Sequence, residues 1–564
     1  MNKYILLSVL VILTMSCNNF LNTTDLANKN DLNFPLNGSD CNQALAAAYN
    51  SMAKVNQGSS FYIGDLVSDD HFGGGAANDY LVHGCDQWRV ANPNMVQNLW
   101  TNYYAGIYRV NKLLESVAKI TFTSDVEKKT ILGEAYFLRG FFYSELSKVF
   151  GEVPLLLSSE PVNIPKTPAK DTYSQIASDL KMAIDNLPAD KNGANPARAG
   201  HATKWAAESL LARVFLFYTG YYKQNDLPLK EGGSISKQQV VTYLEDVIAN
   251  SGHNLVNDFR NLWPYTNSGT REDYAYTKGK GLNWAGDNNV ETVFAIKYGF
   301  VSSWADPMNS ICQVFGIRGQ SNIRNAFPYA DGYGGASINP KMVNAWITDE
   351  PKDTIRRWGS VIDVDSPREG FKKYEIGGWT YVEETKLFIK KYSLIHVYTD
   401  KSNADPLKWG INTYTVVLEG ANASFATACL QDYVLIRYSD VLLMHSELTG
   451  TANGINTVRA RAGLAPVSYS LENLQKERRF ELAFEGIRYF DLLRWYGKEA
   501  GVIIDQNQNG ADILNNKVAA KYNSNLTERI RATGGFFQIP ENEISLSNGV
   551  LKQNDGWSGS GISL

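Results

Sequence analysis

Apolar positions recur at three- and four-residue spacing over long stretches of the chain. Residues 97–118 set Trp100, Tyr103, Tyr104, Ile107, Val110 and Leu114 along one stripe, the spacing a helix with one buried face requires. Residues 126–149 repeat the habit with Ile131, Ala135, Leu138, Phe142 and Leu146, and residues 173–187 with Ile176, Leu180, Ile184 and Leu187. Residues 203–222 do so with Trp205, Leu211, Val214, Phe215, Tyr218 and Tyr222, and Ala44, Ala47, Ala48 and Tyr49 open a helix ahead of them all. Further helices are predicted at 439–449, 453–462 and 471–496. Ser439 and Ser470 read as their N-caps, with Asp440 and Glu472 in the first turns.

Successive helices of this length predict a helical-repeat scaffold of the tetratricopeptide type, in which each pair exposes an apolar face that only its neighbours can cover. Gly106, Ala135 and Gly140 offer places for close helix approach. The strict repeat of roughly 34 residues is absent. Between residues 256 and 430 the periodicity breaks down. Gly, Asn, Asp, Trp and Tyr dominate there, in clusters such as Trp263-Pro264-Tyr265, Gly332-Tyr333-Gly334-Gly335 and Gly377-Gly378-Trp379. Only residues 293–296 and 386–389 read as short strands. Irregular stretches this long inside a compact protein generally carry function. The expected fold is therefore mainly α. A helical-repeat scaffold spans residues 41–255 and 431–564, the latter ending in an extended strap, and a loop-rich, ligand-binding insertion with short strands spans 256–430.

The N-terminus bears on the compartment. Lys3 precedes a nearly unbroken apolar run over residues 4–13, too short for a stable membrane span, and Ser16 precedes Cys17. This reads as a lipoprotein signal peptide over residues 1–16, with Cys17 as the lipidated first mature residue. Leu13 stands four positions before the cysteine, where such sites usually carry Leu three before. Residues 17–40 are polar and Asn-rich, a tether from lipid to folded body.

A net charge of −4 over 564 residues, without a long basic run, excludes a nucleic-acid-binding surface. The aromatic content of 12%, with 31 Tyr, 24 Phe and 12 Trp, is high enough to supply a stacking surface as well as a core. Candidate ligand contacts are aromatics beside polar groups in irregular segments. They are Trp88 with Arg89, Trp284 with Asp287 and Asn288, Trp304 with Asp306, and Tyr329 with Asp331 and Tyr333. Asp69-Asp70-His71 is the one acidic cluster with a histidine.

No catalytic residue, metal site or cofactor is expected. Glu477, Glu481 and Glu485, among Arg478, Arg479 and Arg488, stack on one predicted helix face, which suits local ion pairing better than the facing carboxylates of a glycosidase. Asp505, Asn507, Asn509 and Gly510 begin like a calcium loop, but Asn516 stands where a bidentate Glu is needed, so a solvated turn is expected. Gly73, Gly74 and Gly75 lack the following Lys-Ser/Thr of a phosphate cradle and read as a flexible loop. Cys41, Cys85, Cys312 and Cys429 form no CxxC pair and are expected to be buried thiols, although four cysteines allow three pairings.

Several segments together resemble the SusD/RagB family. They are Cys17-Asn18-Asn19-Phe20-Leu21; Tyr136-Phe137-Leu138-Arg139 running on to Gly151-Glu152-Val153-Pro154; and Lys204-Trp205-Ala206-Ala207 with Leu211-Ala212-Arg213. Later come Leu435-Ile436-Arg437-Tyr438-Ser439-Asp440 with Glu447, Val458-Arg459-Ala460-Arg461-Ala462-Gly463-Leu464, and Glu477-Arg478-Arg479-Phe480-Glu481-Leu482 with Gly486, Arg488 and Asp491 through Trp495. Ile539-Pro540-Glu541-Asn542-Glu543-Ile544, with Leu551 through Asn554, closes the series. His445, Ser446, Leu448 and Gly140 depart from the usual residues at packing positions.

The resemblance implies a lipid-anchored, glycan-binding receptor on the outer face of the outer membrane, acting as a lid over a SusC-like TonB-dependent barrel. It also implies that the Asp69-Asp70 doublet lies near the ligand-facing edge of the scaffold. Peptide capture, as in RagB-like members, is the nearest alternative; a surface polysaccharide hydrolase is a further one.

Overall fold

The structure is a computed structural model describing residues 34–54, 59–90, 94–299, 308–320, 322–375, 381–421 and 429–557. The signal peptide, Cys17, most of the tether, Trp304, Asp306 and Gly377-Gly378-Trp379 lie outside the described residues. Among those residues no helix is long and apolar enough to cross a membrane.

The periodic segments are helices. Gly38–Ala53, Gln97–Val117, Asp125–Phe150, Ala169–Asn186, Lys204–Tyr222 and Lys237–Asn250 pack each against the next, and the series continues through Tyr438–Thr449 and Asn453–Arg461. The fold is thus mainly α, a tetratricopeptide-like stack of α-hairpins whose succession jumps from residue 250 to residue 438. Side chains close the starts of several helices. Ser124 accepts from Glu127 N at 3.1 Å, and Ser236 makes a capping box with Gln239, each satisfying orphan first-turn donors.

Close packing depends on the small residues. A Cβ on Gly106 would stand 2.5 Å from the Phe142 ring, and one on Gly140 would stand 3.0 Å from Leu180. Arg139 then ties three helices together, donating to both Asp179 oxygens at 2.8 and 2.7 Å and to Asn111 at 2.9 Å.

Two boundaries differ from the sequence reading. Ser439 is not an N-cap. Helix Tyr438–Thr449 begins one residue earlier, and the Ser439 hydroxyl accepts from Arg437 Nη1 at 2.7 Å. Residues 471–496 are not one helix but two, Leu471–Glu481 and Arg488–Tyr496. Gly486 sits in the break at φ +73°, and a Cβ there would lie 2.5 Å from Phe61 Cα. Helix Ser60–Leu66 occupies the space that a continuous helix would need.

The irregular stretch is stitched by antiparallel strand pairs. Thr292–Ile296 pairs with Tyr433–Arg437, Val361–Asp363 with Leu387–Ile389, and His396–Asp400 with Gly410–Thr413. Short helices that the sequence did not announce, among them Pro340–Asp349, fill the gaps. One hydrophobic core runs continuously through scaffold and insertion.

Candidate ligand-binding cavity

Gly73 and Gly74 lie in a strand, not a flexible loop. His71–Gly74 pairs antiparallel with Gly335–Ile338. The glycine amides are held from beneath, Gly73 N donating to Asp86 at 3.0 Å and Gly74 N to Glu383 at 3.4 Å. Gly75 N extends the contact to Gly334 O at 3.0 Å. The far wall is made by two backbone segments in contact. Gly332 bridges to Arg318, and Gly334 N donates to Gly316 O at 3.0 Å. A Cβ on Gly332 would stand only 2.3 Å from Gly316 Cα, so the wall closes because both positions are glycine.

These walls border a cavity of about 470 Å3, lined among others by Tyr62, Asp79, Val82, Val314, Arg318 and Tyr333. Its size suits a small or oligomeric ligand. Tyr333 is 41% exposed, and its hydroxyl donates to Gln313 Oε1 at 3.3 Å. Arg318 donates from Nη1 to Tyr333 O at 3.0 Å and lies 5.4 Å over the Tyr381 ring. Burial pushes its guanidinium below the usual arginine range. Asp79 accepts from Ala76 N at 2.7 Å. The buried Tyr62 hydroxyl has no partner within the described protein. Behind the wall, burial lifts the Glu384 carboxyl to about 7, against the opposing effects of Lys386 N and Arg318.

This arrangement offers an aromatic face, hydrogen-bond donors and acceptors, and backbone edges cleared by glycine. Asp79 is the only carboxylate among the described lining residues, whereas glycosidic cleavage by the usual routes needs two.

Of the residues singled out in the sequence, Tyr333 reaches the cavity. Asp331 lies two residues away, half-buried, accepting from Gln320 N at 2.9 Å. Four others are corrected to interior roles. Asp69 is fully buried, gripped by Arg488 at 2.7 and 2.8 Å. Asp70 is paired with Arg479, whose Nε lies at 2.9 Å. Trp88 is buried and stacked on Phe537 and Trp557 at centroid distances of 4.6 and 5.6 Å. Tyr329 is buried with its hydroxyl 2.7 Å from that of Tyr274.

Arg89, Trp284 and Asp287 are half-buried and do not line the cavity. Trp284 meets Tyr414 edge-on at 5.4 Å, and Asp287 accepts from Asp432 N at 3.3 Å. The sequence reading missed Tyr62, Asp79 and Arg318. Arg318 had a signal in its flanking Gly316 and Gly319, as did Asp79 in the nearby glycine run; Tyr62, inside a short helix, had none.

Two family models match the chain. One, described as starch-binding and associating with the outer membrane, covers residues 24–216; the other, the SusD family, covers residues 291–557. The chain belongs to the SusD family. A SusD-like protein of Bacteroides ovatus is 24% identical over 508 residues, spanning 88% of this chain and 82% of that protein. Among solved structures, a laminarin-binding SusD-like protein superposes with a TM-score of 0.69 at 22% identity, covering 92% of this chain and 99% of its own. Surface glycan-binding protein A from Bacteroides thetaiotaomicron, in complex with laminarihexaose, gives a TM-score of 0.68 at 19% identity, covering 92% and 99%.

The SusD-type charged motifs are spent inside the protein. Glu481 is fully buried and faces Arg437 at 3.0 Å, Arg356 at 3.2 Å and Arg461. Glu485 pairs with Arg437 at 2.7 Å and Lys391 at 2.5 Å, and Glu477 with Arg356 at 2.5 Å and Arg459 at 3.1 Å. The local pairs expected from spacing do not form. Arg478 turns instead to Asp440 and Asp491, both at 2.8 Å, while Glu481 is taken up by Arg356, Arg437 and Arg461 from elsewhere in the chain. Asp505 likewise lies in a helix rather than a solvated turn, accepting from Leu526 N at 2.8 Å and Thr527 N at 2.9 Å.

Proposed function

We propose that this SusD-family chain is a non-catalytic surface receptor that captures a glycan in the cavity beside Tyr333 and hands it to a SusC-like TonB-dependent transporter. Lipid on Cys17 would hold it to the outer face of the outer membrane. The observation that carries this reading is the cavity itself. An exposed tyrosine ring suits the C–H face of a sugar, and Asp79 and Arg318 suit its hydroxyls. The names of the structural neighbours support a glycan over a peptide: one binds laminarin, and one was solved with laminarihexaose. That Asp79 is the one carboxylate among the described lining residues supports capture over cleavage.

Calorimetry on the full mature protein, with laminarin fragments, xyloglucan fragments, starch fragments and peptides, tests the reading. Saturable binding of one glycan class, with no new reducing ends, is the expected result. Binding of peptides alone would replace the glycan assignment, and released reducing ends would overturn the non-catalytic one. Radiolabelled palmitate incorporated into the wild type and absent from C17A tests the anchor. Co-purification of a barrel from solubilised outer membranes tests the partner.

A further inference from the structure

The four described cysteines are all buried, but they are not alike. Cys41, in the first scaffold helix, has Asp40 and Glu127 as its charged neighbours, and Cys85 has Asp86. Cys312 and Cys429 instead lie on adjoining segments, and Cys429 is among the nearest titratable neighbours of the Cys312 thiol. They are 1% and 0% exposed. Their backbones are fixed by one residue: Asn309 N donates to Cys429 O at 3.2 Å, and Cys312 N donates to Asn309 O at 3.3 Å. Asn309 Nδ2 adds a bond to Gln431 O at 2.9 Å, and Cys312 Sγ lies 3.8 Å from Gln431 Oε1. Asn309 and Gln431 thus hold the two cysteine-bearing segments side by side, with both thiols buried.

We propose that Cys312 and Cys429 form a disulfide in the exported protein, while Cys41 and Cys85 remain thiols. Exported bacterial proteins mature in an oxidising compartment. The step is thiol–disulfide exchange with a disulfide oxidant, a protein or small-molecule disulfide. One thiolate attacks the oxidant and releases its first thiol. The second thiolate then attacks the mixed disulfide and releases the other. The Cys312–Cys429 S–S bond forms, the oxidant's S–S bond is reduced, and the two cysteine protons leave on its two thiols. Burial holds the Cys312 thiol well above its ordinary range. Thiolate is therefore scarce in the finished fold, and the bond is made before the segments close.

The location gives the bond a purpose. Cys312 lies on helix Ile311–Phe315, which supplies Val314 to the cavity and whose Gln313 O accepts from Tyr333 N at 2.9 Å. Cys429 lies just ahead of strand Tyr433–Arg437, paired with Thr292–Ile296. The link would pin the cavity wall to that strand pair. It would enclose residues 313–428, including Arg318 and Tyr333. Crosslinking so long a loop restricts the unfolded chain strongly.

Full-length protein purified from membranes is denatured in acid, alkylated with N-ethylmaleimide without reduction, digested and mapped by mass spectrometry. The expected map shows Cys41 and Cys85 alkylated and one linked peptide pair carrying Cys312 and Cys429. Alkylation of all four, or a link that includes Cys41 or Cys85, overturns the proposal. A second measurement needs no assumption about the folding of a variant. Wild type unfolded and refolded with reductant present should melt at a lower temperature than wild type carried through the same cycle without reductant, and equal midpoints would refute the bracing role.

Discussion

Replacing Glu481 with Gln removes one negative charge from a site where three guanidiniums converge. Arg437 Nη1 lies 3.0 Å and Arg356 Nη1 3.2 Å from its oxygens, with Arg461 in contact on the same side. The carboxylate is fully buried, and the side chains of Arg356, Arg437 and Arg461 are 0%, 3% and 4% exposed. Water therefore cannot take over the lost interaction. Breaking one partner out of a buried ion cluster costs about 3–5 kcal/mol, and Gln keeps the volume, so little of that loss comes from a cavity.

The pH dependence gives a second handle on the same residue. Burial alone would raise the Glu481 carboxyl, but Arg461, Arg437 and Arg356 hold it well below the usual carboxylate range. A depressed folded value means that the stabilisation is complete above the unfolded value of 4.5 and is lost as pH falls further. Guanidinium denaturation should show E481Q losing about 3–5 kcal/mol at neutral pH with an unchanged denaturant slope, and the gap to wild type narrowing in acid. Glu472→Gln is the control. Its side chain is 84% exposed and 4.0 Å from Lys476, and it should change stability by less than about 1 kcal/mol. A loss of under about 1 kcal/mol for E481Q would refute the structural assignment. Full stability coupled to abolished glycan hydrolysis would revive an enzymatic one.

Tyr333→Ala should weaken glycan binding by about tenfold, the scale of one lost stacking contact, while leaving the melting temperature in place because the ring is 41% exposed; titration calorimetry with both proteins reads this. Glu384 and Glu208 are held by burial at about 7 and about 8, above their ordinary 4.5. Their contribution is complete below pH 4.5 and is lost as pH rises through those values, so melting temperature should decline on the neutral side and the E384Q variant should flatten that decline. Asp505→Ala strips hydrogen-bond acceptors from Leu526 N and Thr527 N at the start of helix Leu526–Thr533. It should cost about 1–2 kcal/mol, and a wild-type melting temperature raised by calcium would refute the capping role.

The scaffold was legible because its helices are long and one-sided. Trp100, Tyr103, Ile107 and Val110 are all buried along one helix, and a period of 3.6 is visible without knowing what lies opposite. The break at Gly486 was not legible, because its cause is the distant Phe61 backbone. The charged motif misled for the same reason. Spacing along a helix identifies neighbours at three and four residues, but Arg356, Arg437 and Lys391 arrive from elsewhere in the chain. Trp88 and Tyr329 show the limit of composition as a guide. An aromatic beside a polar residue looks the same in sequence whether the ring faces solvent or, like Trp88, is sandwiched in the interior. Glycine clusters proved the better signal, since the backbone approach they permit closes the cavity between Gly316 and Gly332.

The buried ion cluster also ties the irregular stretch to the helices that carry the SusD-type motifs. Glu291, Arg356 and Lys391 come from the irregular stretch; Arg437, Arg461, Glu481 and Glu485 come from the segments bearing the SusD-type motifs. Each cross-pair joins insertion to scaffold, and each is too buried to be exchanged for water. A substitution on either side leaves an unpaired charge on the other, so these positions must change together or not at all. None of them lines the cavity. Tyr333 projects from a turn held through backbone hydrogen bonds and glycine contacts, which place few demands on its exposed ring. Ligand choice can therefore shift by altering what projects from that turn, while the charge lattice keeps the turn where it is. Exchanging the exposed Tyr333 for other residues should change which ligand binds without moving the unfolding midpoint, whereas a single change in the lattice should do the reverse.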